Sequence, residues 1–324
     1  MRKLLLTLLA LCCTMATWAQ NELLTAMLHH EGETTFFIGP ESFIEAEEAS
    51  VDGDVITLSS GDFKLLPVIK KSIAVYGAGF EEAAATGRQK TTLAGDLIII
   101  QAEGATLSGV HLEGLNISGT FKFTTPLENF VMEKCYVGSN FSFYAANNNT
   151  IVSNCVINGG VTTIGVETTN CLFEYCYIYG DVSITSSTFN HCITCGTLST
   201  NTYTNCIFTY YQYIAQKWRS PFYHTGDATV TNCILLSTES ISSSNTFTNC
   251  YVVKSVGDIF TDETNSLNPY SAARTFELKQ PETWIGTDGL EVGIRPGWSK
   301  VSRSAELKNI TTTISDGNLT IDYQ

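Results

Sequence analysis

The chain has 324 residues, 44% of them hydrophobic and 15% charged, with 18 Lys and Arg against 32 Asp and Glu and a formal net charge of −14. That length and apolar fraction support a sizeable buried core. The acid excess disfavours a general binder of nucleic acid or of anionic membranes, since those partners need a basic field.

At the start, Arg2 and Lys3 precede an apolar run from Leu4 to Cys13, and Thr17-Trp18-Ala19 stands before Gln20. This is the pattern of a secretory signal with a small-residue cleavage site, too short for a membrane span. Residues 1–19 are expected to be removed and the protein exported to the periplasm, cell surface or medium, with no transmembrane segment. Lipidation at Cys12 or Cys13 is the rival, but Leu11 and Cys12 are poor residues to precede a lipidated cysteine. Losing Arg2 and Lys3 leaves 16 Lys and Arg against 32 Asp and Glu, a net charge of −16. Anionic glycans are thereby disfavoured unless a metal or a local basic patch intervenes.

His29-His30-Glu31 has metal-like residue types but no third ligand at a fixed spacing, and a solvated turn is expected there. Residues 31–63 hold nine acidic residues and no Lys or Arg. Within them Glu41 to Ala49, preceded by Pro40, reads as a short amphipathic helix with Phe43, Ile44 and Ala46 on its apolar side. Gly53-Asp54-Val55-Ile56-Thr57-Leu58-Ser59-Ser60-Gly61-Asp62-Phe63 and Ile73-Ala74-Val75-Tyr76-Gly77-Ala78-Gly79 follow, strands interrupted by glycine turns.

From Cys135 to Cys250 a phrase recurs seven times, centred on Cys135, Cys155, Cys176, Cys192, Cys206, Cys233 and Cys250. Three places before stand Met132, Val152, Phe173, Phe189, Tyr203, Val230 and Phe247; two places after stand Val137, Ile157, Ile178, Thr194, Phe208, Leu235 and Val252. The steps of 20, 21, 16, 14, 27 and 17 residues vary as loops vary, whereas a helical repeat would hold its length. A cysteine and the residue two after it share a strand face, but the residue three before is out of phase with a period of two. A bend must separate them, and Asn154, Asn205, Asn232 and Asn249 just before the cysteine tolerate the left-handed conformation. Leu107-Ser108-Gly109-Val110-His111-Leu112 reads in the same frame, with Gly109 at the bend and Val110 in the cysteine slot. Strand, bend and strand in repeated coils make an all-β, single-stranded right-handed parallel β-helix, the hand that crossover connections favour. Its open end needs cover, and the 41–49 helix is expected to cap it.

Export leaves nine cysteines in an oxidising compartment. Parallel stacking holds Cβ atoms near the strand spacing, beyond what a disulfide prefers, so the ladder is read as buried thiols acting as small hydrophobes. Cys171, Cys176, Cys192 and Cys195 resemble a zinc spacing, but the ladder turns Cys176 and Cys192 into the core, and no metal is expected. Cys192 and Cys195 lack the βαβ surroundings of a redox pair.

The 27-residue step interrupts the repeat with an insertion over 210–227, rich in aromatics. Such insertions map to a loop on one face, where Tyr211, Tyr213, Trp218 and Tyr223 could stack on sugar rings and Lys217, Arg219 and His224 could bond hydroxyls or carboxylates. The alternative is that the aromatics form the loop's own small core. Asp227 with Lys217 or His224 is the candidate acid–base pair. After residue 299 the composition changes, and Asn309 to Tyr323 reads as a β-hairpin around Asp316-Gly317. The division expected is therefore signal 1–19, solenoid with cap 20–299 and tail 300–324.

The helix followed by G-D-V-I-T-L-S-S-G-D-F and I-A-V-Y-G-A-G resembles the opening of the pectate-lyase-like right-handed β-helix superfamily. More narrowly, the N-C-x-[IVF] coils are similar to those of exported Gram-negative bacterial β-helix proteins without an assigned activity, and Thr287-Asp288-Gly289-Leu290-Glu291-Val292-Gly293-Ile294 is similar to that group's closing segment. The resemblance implies the fold, not a chemistry. Its hydrolases need paired inward aspartates, and its lyases need carboxylates holding Ca²⁺ beside an Arg or Lys base. Over 129–256 only Glu133, Glu167, Glu174, Asp181, Asp227 and Glu239 are present, read as scattered singly. The expected function is a non-catalytic binder or scaffold of the cell envelope with a polysaccharide partner and no cofactor. The alternative is a polysaccharide lyase or glycoside hydrolase with a non-standard site, the one case that would call for Ca²⁺.

Overall fold

The structure is a computed structural model describing residues 24–64, 68–82, 89–100, 106–209, 212–214, 217–219, 221–222, 226–236, 244–262, 270–299, 310–315 and 318–323. The secretory pattern of residues 1–19 lies outside the described residues.

The chain winds as an all-β parallel solenoid of about 8 turns. Equivalent strands of successive turns pair in register, building sheets of 12, 10, 6 and 4 strands. The longest sheet passes through Val55–Leu58, Ala74–Tyr76, His111–Glu113, Val131–Glu133 and Ile151–Ser153 and ends at Thr246–Thr248. Its middle residues Val75, Leu112, Met132, Val152, Phe173, Phe189, Tyr203 and Val230 are fully buried, because alternate side chains of a strand face opposite sides. The second sheet turns Ile117, Val137, Ile157, Ile178 and Leu235 into the same core. Register stacks like on like: Phe173 lies on Phe189 with ring centroids 4.8 Å apart and planes 8° apart, and Phe189 lies 5.1 Å from Tyr203.

The bend expected before each ladder cysteine is present. Lys134, Asn154, Tyr175, His191, Asn205, Asn232 and Asn249 all have φ between 50° and 56°. Gly109 belongs elsewhere. Leu107-Ser108 pairs with Leu127-Glu128, so Gly109 (φ 78°) continues a second row of left-handed bends through Asn129, Asn149, Asn170 and Ser186. The true partner of the Cys135 phrase is Leu112-Glu113-Gly114-Leu115-Asn116-Ile117, with Gly114 at the bend and Leu115 in the cysteine slot. Two corners of the coil use the same conformation, and a frame read from one fits the other.

The bends explain why the slot holds cysteine. A left-handed residue takes the flanking backbone out of the sheet ladder, and buried N–H and C=O groups must find other partners. Each ladder thiol donates back to the carbonyl two residues earlier, Cys155 to Ser153 O at 3.1 Å and Cys206 to Thr204 O at 3.2 Å. The sulfur also accepts from the coil before: Cys135 N–H donates to Cys155 Sγ at 3.4 Å, Cys192 N–H to Cys206 Sγ at 3.4 Å and Cys206 N–H to Cys233 Sγ at 3.3 Å. All nine cysteines from Cys135 to Cys250 are free thiols. Burial pushes the Cys155, Cys192 and Cys233 thiols well above the ordinary range. Cys171 and Cys195 join different clusters from one another, so the zinc spacing does not converge.

A third corner is closed by glycines: a Cβ on Gly138 would lie 2.1 Å from Ser118 O, and one on Gly180 would lie 2.5 Å from Gly159 C. No side chain fits between the coils there. Helix α1 (Ser42–Ala49) starts after Glu41 and buries Phe43 and Ala46 in the main core, against Thr25–His30 and Val55–Leu58. An antiparallel hairpin, Thr25–His30 with Glu33–Ile38, is added at this end; Glu31 and Gly32 form its turn. His29 and His30 are therefore strand residues, and His30 Nδ1 lies 2.7 Å from the buried Asp54 carboxylate rather than in a solvated turn.

Beyond Val252 the chain returns along the outside of the second sheet. Val256, Ile259, Phe260, Phe276, Leu278, Trp284, Val292 and Ile294 cover its outward residues Val156, Tyr177, Ile193, Ile207 and Ile234 in a second hydrophobic cluster. The Arg274 guanidinium lies over Phe276 at 4.6 Å and Phe260 at 5.1 Å. Ile310–Ser315 and Asn318–Tyr323 pair antiparallel. No helix among the described residues is long and apolar enough to cross a membrane.

Two measurements check the thiol ladder. In a chain beginning after residue 19, a thiol reagent should spare the eight buried thiols under native conditions, reach at most the half-buried Cys250, and titrate nine thiols in denaturant. Cys206→Val fills the slot without an acceptor for Cys192 N–H, and should lower urea stability by about 1–3 kcal/mol; full stability in that variant would reduce the thiol to a space-filler.

Candidate functional site

Outward residues of the longest sheet are carried in register, so side chains distant in sequence are brought side by side. Three places on or beside it hold chemistry.

The first lies near its N-terminal end. His111 and Glu113 are two apart on one strand and face out together, and Glu113 pairs directly with Glu133 on the next. Glu133, read as standing singly within 129–256, is thus stacked on Glu113 of the preceding coil, which lies outside that span. His111 Nε2 is 3.3 Å from Glu133 Oε2, and its Nδ1 is 3.4 Å from Tyr76 OH. Lys134 Nζ reaches Glu113 Oε1 at 3.1 Å, and Ser153 Oγ donates to Glu133 Oε1 at 3.2 Å. Glu113 is fully buried, while the His111 and Glu133 side chains are 20% and 29% exposed. The His111 imidazole beside it holds Glu133 below the ordinary carboxylate range against the opposite push of burial.

The second place lies roughly 19 Å along the same face, four strand spacings from Val131–Glu133. Here Thr188, Thr202, Thr229 and Thr246 form one outward row, and Thr204, Thr231 and Thr248 form another. Rows step by about 4.8 Å and lie about 6.6 Å apart. Beside them is an open concavity of about 620 Å³, lined by Thr185, Ser186, Ser187, Thr188, Thr200, Asn201, Thr202, Asp227 and Thr229. Its lining is hydroxyl and amide with one carboxylate, Asp227. Asp227 is exposed, sits at a left-handed bend (φ 58°), and its N–H donates to Ser244 Oγ.

The insertion enters the solenoid beside this concavity. Its Gln212–Ile214 and Lys217–Arg219 strands form an antiparallel hairpin with Tyr213 opposite Trp218. Tyr211, Tyr223 and His224 lie outside the described residues. Phe222 packs into the core, 5.1 Å from Phe208 and 5.6 Å from Tyr203 between ring centroids. Phe222 thus belongs to the solenoid's main core rather than to a small core of the loop's own.

The third place is the row of bends before the cysteines, where the returning segment runs from coil to coil. Asn232 Nδ2 donates to Ile285 O, Thr287 N–H to Asn205 Oδ1 at 2.8 Å, and Ser299 N–H to Asn154 Oδ1 at 2.7 Å. Midway, the fully buried His191 has Nδ1 3.0 Å from Gly293 O and Nε2 2.7 Å from Asp288 Oδ2, and stacks on Tyr175. Residues chosen to bend the chain also bind its return.

No family model matches the chain, and no curated protein matches it. Its chemistry rests on these three places. The third is structural, since His191 is fully buried where the return crosses the coils. The second is an uncharged, open surface. The first is the one convergence of His and carboxylates with ligand geometry among the described residues.

Asp288 gives the closing segment a pH dependence. Against the upward push of burial, the His191 and Leu290 N–H hydrogen bonds hold Asp288 below the ordinary carboxylate range. A depressed folded-state pKa contributes stability that is complete above the unfolded carboxylate value and fades as pH falls through the folded one. Asp288→Asn should lower the urea midpoint at pH 7 and show a smaller further loss between pH 5 and pH 3 than the wild type (pH bounds roughly bracketing the carboxylate range); equal acid losses in the two proteins would remove Asp288 from the response.

Proposed function

We propose that this is an exported, right-handed β-helix protein of the pectate-lyase-like kind, with α1 closing its first coil, that holds polysaccharide at the cell envelope without cleaving it. The observation that carries the reading is the double row of outward threonines running into the hydroxyl-lined concavity. A flat, register-locked array of hydroxyls can exchange hydrogen bonds with a repeating polyol at several points, each weak and together additive. The array carries little charge of its own, and the chain is acidic, which favours neutral glycans over uronates. Asp227 stands without a second carboxylate in the described lining, and hydrolysis by the usual route needs two. The hairpin of the same insertion carries Tyr213, Lys217, Trp218 and Arg219, aromatic and cationic residue types suited to such a ligand.

A carbohydrate-active enzyme is the second reading, and His111 between Tyr76 and Glu133 is the observation that favours it. Histidine so placed can move a proton between tyrosine and carboxylate.

A panel of soluble and insoluble glycans, assayed for binding and for released reducing ends or unsaturated uronate, separates the readings. Binding without product, weakened about tenfold or more in Thr202→Val/Thr229→Val and weakened again in Lys217→Ala/Arg219→Ala/His224→Ala, is expected. Product formation would overturn the non-catalytic reading, and silence on every glycan would overturn the polysaccharide partner.

A further inference from the structure

We propose that His111, Glu113 and Glu133 form a binding site for a first-row divalent transition metal ion, with zinc the best fit. The fold brings the three together without any sequence motif: two come from one strand and the third from its in-register neighbour. One ligand atom from each lies within 4.8 Å of the others, and His111 Nε2 and Glu133 Oε2 are 3.3 Å apart. Ligand atoms around a tetrahedral zinc are separated by about 3.4 Å. One pair is therefore already at coordination spacing, and the two separations to Glu113 are no more than 4.8 Å, so closing them takes at most about 1.4 Å of side-chain movement.

The surroundings support the assignment. His111 Nε2 is shielded from solvent and makes no hydrogen bond of good geometry, although a buried polar atom normally finds a partner. It is aimed at the carboxylates because the ring is held from behind, edge-on to Tyr76 with centroids 5.3 Å apart and Nδ1 facing the phenol oxygen. Metal-binding histidines are commonly oriented through the other nitrogen in this way. Ser153 and Lys134 hold the two carboxylates from the side, through Oε1 of each. An ion between the three side chains gives the nitrogen a partner and a positive centre to the two stacked carboxylates.

Donor chemistry selects the ion. Calcium and magnesium take oxygen ligands, while an imidazole with two carboxylates suits zinc, manganese or iron. The partial exposure of His111 and Glu133 leaves an approach from the face of the sheet and room for water as a fourth ligand. The rival is a proton: His111 ion-paired with Glu133 and no metal at all.

The test uses the whole exported chain, stripped with chelator and titrated with zinc against a fluorescent zinc indicator. One zinc per chain is expected in the wild type. His111→Gln and Glu133→Gln should each weaken binding by roughly tenfold to a hundredfold or more, with folding checked by circular dichroism. His30→Ala, which removes an imidazole at the far hairpin, should leave stoichiometry and affinity unchanged. Lys134→Met takes a competing cation off Glu113 and should tighten zinc binding, a change that a proton-only ion pair would not produce. Absence of stoichiometric zinc in the wild type, or binding unmoved by both His111→Gln and Glu133→Gln, overturns the site. If both of those variants unfold, anomalous diffraction at the zinc edge from wild-type crystals decides it by the presence or absence of the ion between the three side chains.

Discussion

The left-handed bend before each cysteine is the constraint on which the molecule depends. It turns the chain from one sheet into the next, and it does so at seven successive phrases with φ between 50° and 56°. Every such bend strips backbone groups of their sheet partners deep in the protein. The thiol satisfies them, donating to a carbonyl of its own coil and, at Cys155, Cys206 and Cys233, accepting an N–H from the preceding one. Sulfur is large enough to span between coils and apolar enough to remain in a core of stacked aromatic and aliphatic rows. A ladder that resembles a disulfide or zinc framework is instead a device for closing corners.

The same register that stacks the core also composes the surface. A residue facing outward on one coil has a neighbour at the strand spacing on the next, so any repeated residue type becomes a row. Thr202, Thr229 and Thr246 make a hydroxyl row in this way, and Glu113 with Glu133 makes a stacked carboxylate pair. Like charges placed opposite one another repel, and here Lys134, His111 and Ser153 surround them. Stability alone gives no reason to build such a pair on a face where threonine serves elsewhere.

The returning segment gives the bends a second use. Asn154, Asn205 and Asn232 tolerate the left-handed conformation, and their amides then bind the chain between Ile285 and Ser299. His191 takes the same position and lies 2.7 Å from the partly exposed Asp288 carboxylate. Coil and return are thus held along a line of side chains fixed by backbone geometry, and the hydrophobic cluster beneath them is sealed.

The sequence by itself determined the parallel solenoid, the bend before each cysteine, the free thiols and the helix near residue 42. All follow from local chemistry: a period of two, a conformation that few residue types tolerate, and spacings too irregular for helical repeats. Tertiary structure alone decided which phrases stack. Leu107 to Leu112 and Leu112 to Ile117 both fit the bend pattern, and only the pairing of Leu107 with Leu127 places Glu113 beside Glu133. The threonines were visible as T-x-T before three cysteines, but their rows exist only once the coils are in register. Likewise the His191–Asp288 contact joins residues 97 apart in sequence, a separation that no local spacing rule spans. Corners are written in single residues, whereas sites on this fold are written across coils, where only the stacking sets who meets whom.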